Sequence, residues 1–259
     1  MCGGAATPMN SGPQGGRVME GGMTPWSRSP TWIYLVFVLA PVVFVGLIAA
    51  QPWVPFEHLT RDPLIVAGEC ARYRSDLAAA GRCGSLYFGA VSNLGVLIWC
   101  SGVAVCLFAA AQLYRRGPDG RRGRAMPFMV YAGLFTAFLM LDDLFQLHEQ
   151  VFPKLLGLSD FGTYGIYGVI ALFYFALFWK QIVQHDVLLL GIGLLGLAAS
   201  IGTDFNEMIL GPRDVEGVGL SGPLSHWVVE DGGKLVGISA WTGFHVQAAW
   251  RALTPPADR

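Results

Sequence analysis

Charge is what this chain has least of. Asp, Glu, Lys and Arg make up 14% of its 259 residues, against about 25% in an ordinary soluble domain. The shortfall is concentrated in long apolar runs, which places the chain in the membrane class. A basic field is missing as well: the formal net charge is −1, which leaves no electrostatic footprint for nucleic acid. Zinc-finger cysteine spacing, a Walker loop, HExxH and HxxxH are absent. So is the Glu-x-x-His pair that a di-iron carboxylate bundle takes from two helices. Metal chemistry, if used, must draw on residues scattered along the chain.

What the chain has instead is apolar length. Its residues are 53% hydrophobic and include 34 glycines, a residue frequent in packed transmembrane helices. Six segments, 32–50, 87–113, 127–150, 163–184, 187–208 and 227–250, reach the roughly 20 residues that cross a bilayer. They predict an all-α polytopic bundle of six spans, one transmembrane domain over 31–252, in the inner or plasma membrane. Residues 1–30 are rich in Gly, Pro and Ser with no apolar period and read as a disordered tail; 253–259 form a short second tail. Trp32–Ala50 is longer than a signal-peptide core, and the following QPWVPFE lacks a small-residue cleavage site. It reads as an uncleaved first helix.

Arginines orient the bundle. The loop between spans two and three carries Arg115, Arg116, Arg121, Arg122 and Arg124 against Asp119, which makes it cytoplasmic. With six spans, both termini are then cytoplasmic, in agreement with Arg17, Arg28, Arg251 and Arg259. The loop 51–86 falls outside, its four arginines balanced by Glu57, Asp62, Glu69 and Asp76. Cys70 and Cys83 lie in it, where a disulfide is allowed; two unpaired thiols are the alternative. Cys100 and Cys106, six apart on the second helix, read as small core residues rather than ligands.

Seven carboxylates sit at the ends of these spans: Asp142, Asp143, Glu149, Asp204, Glu207, Glu230 and Asp231. Asp142 comes about 22 Å along the third span at 1.5 Å per residue, in the outer quarter of a hydrocarbon core about 30 Å thick. Asp204 and Glu207 close the fifth span, and His226, Glu230, Asp231 and Lys234 open the sixth. All converge on the outer leaflet. Helical phase puts Asp142, Asp143, Gln146, Glu149 and Gln150 within an arc of about 120°. His148 falls opposite and joins them only if the helix loosens before Pro153, which disfavours α geometry upstream. Gly193, Gly196, Ser200, Asp204 and Glu207 share one stripe, whose small residues let a neighbouring helix approach. On the sixth span His226, Glu230, Gly233, Lys234, Gly237, Trp241 and His245 share a face, with Asp231 at its edge.

Ionisable groups at membrane depth are costly and read as functional. Carboxylates with imidazoles form a hard to borderline ligand set suited to Zn, Fe, Mn or Ca. Asp204, Glu207, His226, Glu230, Asp231 and His148 are the candidate metal ligands. Asp142, Asp143, Glu149 and Ser200 are the candidate catalytic groups, as general base or supporting shell. A lipid or amphiphile reaching the site from the bilayer is the expected substrate. A second class is a proton- or cation-coupled transporter, in which paired carboxylates raise one another's pKa. A third is a structural or partner-binding protein. There Glu230 and Lys234 neutralise each other at i,i+4, and the helix dipole favours Asp231.

Leu141-Asp142-Asp143-Leu144-Phe145-Gln146-Leu147-His148-Glu149, followed by Val-Phe-Pro, resembles a group of small bacterial polytopic proteins of unknown function. The later run Val229-Glu230-Asp231-Gly232-Gly233-Lys234 is similar to them too, and the resemblance spans about 127–250. The layout is also similar to the ceramidase-type superfamily of seven-helix intramembrane zinc hydrolases, which use scattered Ser, Asp and His. That likeness implies zinc-dependent hydrolysis, with Ser200 and Asp204 as the matching positions; this chain departs from it in having six spans and no final HxxxH.

Overall fold

A computed structural model describes residues 29–54, 56–60, 87–117, 122–210 and 227–254, except the side chains of 57, 122, 149, 150, 160 and 204–210. The tail 1–28, most of the loop 51–86 with Cys70 and Cys83, and His226 lie outside the described residues. Every element among the described residues is helical. In chain order they are α1 (Thr31–Ala50), α2 (Phe56–Thr60), α3 (Ala90–Arg115), α4 (Arg122–Phe145), α5 (Phe152–Leu156), α6 (Asp160–Ile182), α7 (Val187–Leu210) and α8 (Gly233–Leu253). Three wide π turns interrupt them, at Leu35–Leu39 within α1, Leu147–Val151 before α5, and Val228–Gly232 before α8. The first precedes Pro41, whose ring clashes with the carbonyl four residues back in a regular helix. A wider turn relieves that clash.

Four helices are long and apolar enough to cross a membrane: Thr31–Ala50, Ala90–Arg115, Gly123–Phe145 and Phe161–Ile182. The most apolar of them, Thr31–Ala50, has a mean hydropathy of 2.7 and is only 11% buried. Leu47, Leu97, Leu172 and Leu195 are 67%, 67%, 70% and 73% exposed. Soluble proteins show no such continuous apolar exterior, whereas a bilayer is the medium that such a surface suits. α4, the third span, stops at Phe145 rather than running to 150. Cys106 is buried in the core as expected, but Cys100 faces outward.

α8 shows the reverse pattern. It carries Lys234, His245, Gln247 and Arg251, yet thirteen of its residues are buried, including Trp241, Phe244 and His245. It is enclosed by the other helices, so it presents little surface to lipid and needs no apolar exterior. Contacts show its neighbours alternating in direction. α1 meets it antiparallel, with Phe37 against Gly243 and Val45 against Gly232. α3 runs parallel, with Gly95 against Ile238 and Gly102 against Thr242. α4 is antiparallel again, through Thr136–Trp241 and Asp143–Lys234.

The closest approach is to α7, along the stripe of small residues read from the sequence. A methyl on Gly196 would sit 2.6 Å from the Gly233 oxygen and 2.8 Å from the Gly237 Cα; one on Gly193 would lie 2.9 Å from the Trp241 nitrogen. The two backbones touch, which only glycine permits there.

The turn between α6 and α7 is anchored by Asp186, which is 3% exposed. Its Oδ1 accepts from the Leu188 and Leu189 N–H groups (3.2 and 3.3 Å), capping α7. Its Oδ2 accepts from Ser29 N (2.5 Å) and Tyr34 Oη (2.7 Å), and its own N–H donates to Gln247 Oε1 (3.2 Å). One residue thus ties α1, α7 and α8 at this end. Arg251 donates to the Gln184 carbonyl and Arg116 to that of Leu253. Burial alone would raise the Asp186 carboxyl, but the hydrogen bonds from Tyr34 and Ser29 outweigh it and hold the group below its usual range.

Two outcomes follow for thermal unfolding of detergent-solubilised protein. Gly196→Ala or Gly237→Ala forces the backbones apart and lowers stability by about 1–3 kcal/mol, while Gly191→Ala, with open space around it, has little effect. Asp186→Asn weakens the cap by about 0.5–2 kcal/mol at pH 7. A depressed folded pKa contributes stability above the unfolded value of about 3.9 that is lost as pH falls through the folded one, so the gap between variant and parent narrows below about pH 4.

Candidate functional site

At the opposite end of the bundle from Asp186, α4 stops abruptly. Gln146 takes φ 50°, ψ 48° and is the only non-glycine residue of positive φ among those described. Left-handed backbone costs a non-glycine residue about 1–3 kcal/mol and collects at functional sites. The reversal turns the chain so that His148, on the far side of an unbroken helix, comes back to Asp142. Asp142 Oδ1 accepts from the His148 N–H (3.0 Å) and from Tyr167 Oη (2.7 Å), while Oδ2 lies 2.8 Å from His148 Nδ1. An ionised carboxylate only accepts, so Nδ1 carries the proton that it shares with Asp142. This fixes the ring's orientation and directs its Nε2 chemistry away from Asp142. Oriented in this way, an imidazole can serve as a general base or a metal ligand. Tyr164 flanks it, ring centroids 5.4 Å apart.

Asp143, one residue on, turns to a different helix. It forms an ion pair with Lys234 at the start of α8. Val91, Ser92, Gly95 and Asp231 complete a small cavity of about 20 Å³ around this pair, room for roughly one water. The two neighbouring aspartates thus divide the polar end into a His148 side and a Lys234 side, rather than facing one another across one arc. Lys234 reaches Asp143 across helices, beside its place as the i+4 neighbour of Glu230. Wide turns flank both halves of the site, a recurrent setting for functional groups.

Among the candidate residues, the structure brings Asp142 to His148, and Asp143 to Lys234 and Asp231. Glu230 lies in the same π turn as Asp231. Ser200 is buried on α7. Asp204 and Glu207 lie on the last turns of α7 and Glu149 in the π turn after α4, their side chains outside the described residues; His226 is outside them entirely. No group of three His, Cys, Asp or Glu placed to hold a metal occurs among the described residues. Sequence reasoning missed Tyr167. It stands seven residues from Tyr174, on the same face of α6, and Tyr174 Oη in turn lies 3.1 Å from His245 Nε2. His245 Nδ1 donates to the Trp241 carbonyl (2.9 Å), so Nε2 accepts from the tyrosine. Two tyrosines at heptad spacing, each bonded to a polar group inside an apolar bundle, were the available signal.

The chain matches the family described as a domain of unknown function (DUF8692) over residues 35–248, most of its length, and belongs to that family. No curated protein and no solved structure matches it.

Lys234→Met strands an acidic side chain that is 9% exposed. It is expected to cost more stability than Lys234→Met combined with Asp143→Leu, with a coupling of about 0.5–3 kcal/mol across the four-variant cycle. Additive melting shifts would mean that the pair is screened by solvent.

Proposed function

We propose that this member of a family of unknown function is a six-span membrane protein, with both termini cytoplasmic, whose outer-leaflet site is a hydrolase-like centre acting on a lipid or amphiphile. The Asp142–His148 dyad is the observation that carries the reading. Asp142 orients the ring, Tyr167 steadies the carboxylate, and His148 is the group that accepts a proton from water or a substrate hydroxyl. The reading includes a divalent cation, Zn, Fe or Mn. Asp204, Glu207, His226, Glu230 and Asp231 supply its donors. Ser200, Asp143 and Glu149 are the supporting polar groups. The six-span topology is supported by the arginines beside α3 and α4, by the alternating helix directions, and by α7 and α8, 24 and 21 residues long.

A second reading, a proton- or cation-coupled transporter, is favoured by the buried His245–Tyr174 pair lying between the Asp142 end and the Asp186 end. It requires pH-dependent flux in liposomes that Asp142→Asn abolishes.

Metal analysis and hydrolysis of ester- and amide-linked amphiphiles by detergent-purified protein test the first reading. Stoichiometric metal is expected, and it is reduced in Asp204→Ala and Glu230→Ala. Turnover should fall by about 10²–10⁴-fold in His148→Ala. Metal content that those variants leave unchanged removes the cation from the proposal; full turnover in His148→Ala removes the dyad.

A further inference from the structure

Exposed cations gather where α3 ends and α4 begins. Arg115 closes α3, Arg116 follows as its C-cap, and Arg124 stands in the first turn of α4; all three are exposed. The two helices run antiparallel, with Gly133 against Leu107 and Cys106. From that contact Arg115 lies about 12 Å along α3 and Arg124 about 13.5 Å along α4, at 1.5 Å per residue. They therefore stand at one level, at the end of the bundle that holds Asp186. Arg116 donates to the Leu253 carbonyl (2.8 Å), and no ion pair joins any of the three to a carboxylate among the described residues. We infer that these arginines bind the phosphate of an anionic phospholipid in the leaflet at this end. The inference goes beyond the hydrolase reading and needs only the membrane setting.

Charge, helix polarity and depth favour that occupant. Arg115, Arg116, Arg121, Arg122 and Arg124 stand against Asp119 alone in this stretch of sequence. Asp186, described at the same end, is 3% exposed and both its oxygens already accept hydrogen bonds. A zwitterionic head group would bring its amine against a strongly positive surface, whereas a net-negative one is matched by it, and guanidinium groups take phosphate in bidentate fashion. The dipole of α3 favours Arg115 and Arg116 at its C-terminal end, but that of α4 opposes a cation at Arg124. Local helix electrostatics thus account for the first two arginines and not for the third. As to depth, Phe108 lies seven residues deeper than Arg115 and Tyr131 seven residues deeper than Arg124. Each shares the helix face of its arginine, and they are 61% and 48% exposed. An arginine stem laid over such a ring keeps its guanidinium at head-group level, and a phosphate held there has apolar side chains beneath it to meet its acyl chains. A soluble polyanion would make no use of that lower surface.

The test mixes the detergent-purified full chain with equimolar phosphatidylglycerol and phosphatidylcholine of the same acyl chains, and native mass spectrometry counts the lipids retained. Phosphatidylglycerol should be retained several-fold over phosphatidylcholine, the excess shrinking as salt rises. Arg115→Gln combined with Arg124→Gln should bring the ratio near parity at an unchanged melting temperature. Arg115→Gln alone, which should lower the ratio too, carries the test should the double variant fail to fold. Lys154→Gln, at the opposite end of the bundle, should leave the excess in place. No preference in the parent, a preference that survives the folded arginine variants, or an equal loss in Lys154→Gln would overturn the inference. Glycerol 3-phosphate, a comparable head group without chains, should displace the lipid only at far higher concentration; displacement at equal concentration would mark a site for soluble phosphate and overturn the lipid assignment. His148→Ala leaves these arginines untouched, so failure of the hydrolase reading and failure of this one are separately visible.

Discussion

Contact between two backbones, α7 against α8, is the constraint on which the rest of the bundle depends. A methyl on Gly193, Gly196 or Gly237 would come within 3 Å of the facing backbone. Lipid tails are as apolar as leucine, so helices in a bilayer gain from close packing and hydrogen bonds rather than from escaping water. By drawing α7 this near, the glycines leave α8 encircled. An encircled helix is relieved of contact with hydrocarbon, and this is why the helix with the most polar side chains is also the one most deeply buried.

The polar groups of α8 are used at three depths. Lys234 pairs with Asp143 at one end, Trp241 Nε1 donates to Thr136 Oγ1 (3.0 Å) and His245 meets Tyr174 in the middle, and Gln247 receives the Asp186 N–H at the other. The four bonds reach three segments: α4, α6 and the α6–α7 turn. Interhelical hydrogen bonds in membranes average only about 0.6 kcal/mol, so their larger effect is on register. They fix how each neighbour is rotated about α8, and thereby which residues of α4 reach the site.

Much of this was legible in the sequence, because much of it is periodic. The glycine stripe of α7, the approximate positions of the apolar helices and the polar face of α8 all follow from spacing along one helix. The Asp142–His148 pairing was legible only as a condition. Pro153 indicated that the helix would loosen, but the reversal occurs at Gln146, a residue type that does not itself advertise left-handed backbone. The Lys234–Asp143 pair was hidden for a related reason: nothing local indicated that Lys234 would reach across to α4. Asp186 caps α7 locally, yet its ties to Tyr34 and Gln247 span 152 and 61 residues. Such long-range contacts leave no mark in a local pattern.

The π turn of α1 has a bearing on descent. A π turn holds one residue more than the α turn it replaces, so it is the trace that a single-residue insertion leaves in a helix. In α1 it falls at Leu35–Leu39, where Phe37 lies against Gly243, while Val45, beyond it, lies against Gly232. Loss of one residue from that turn would rotate the two halves by about 100° relative to each other, so only one of these seats could stay filled. Relatives that lack the extra residue should therefore differ on α8 too, with a larger side chain at 232 or 243 where the α1 residue no longer seats.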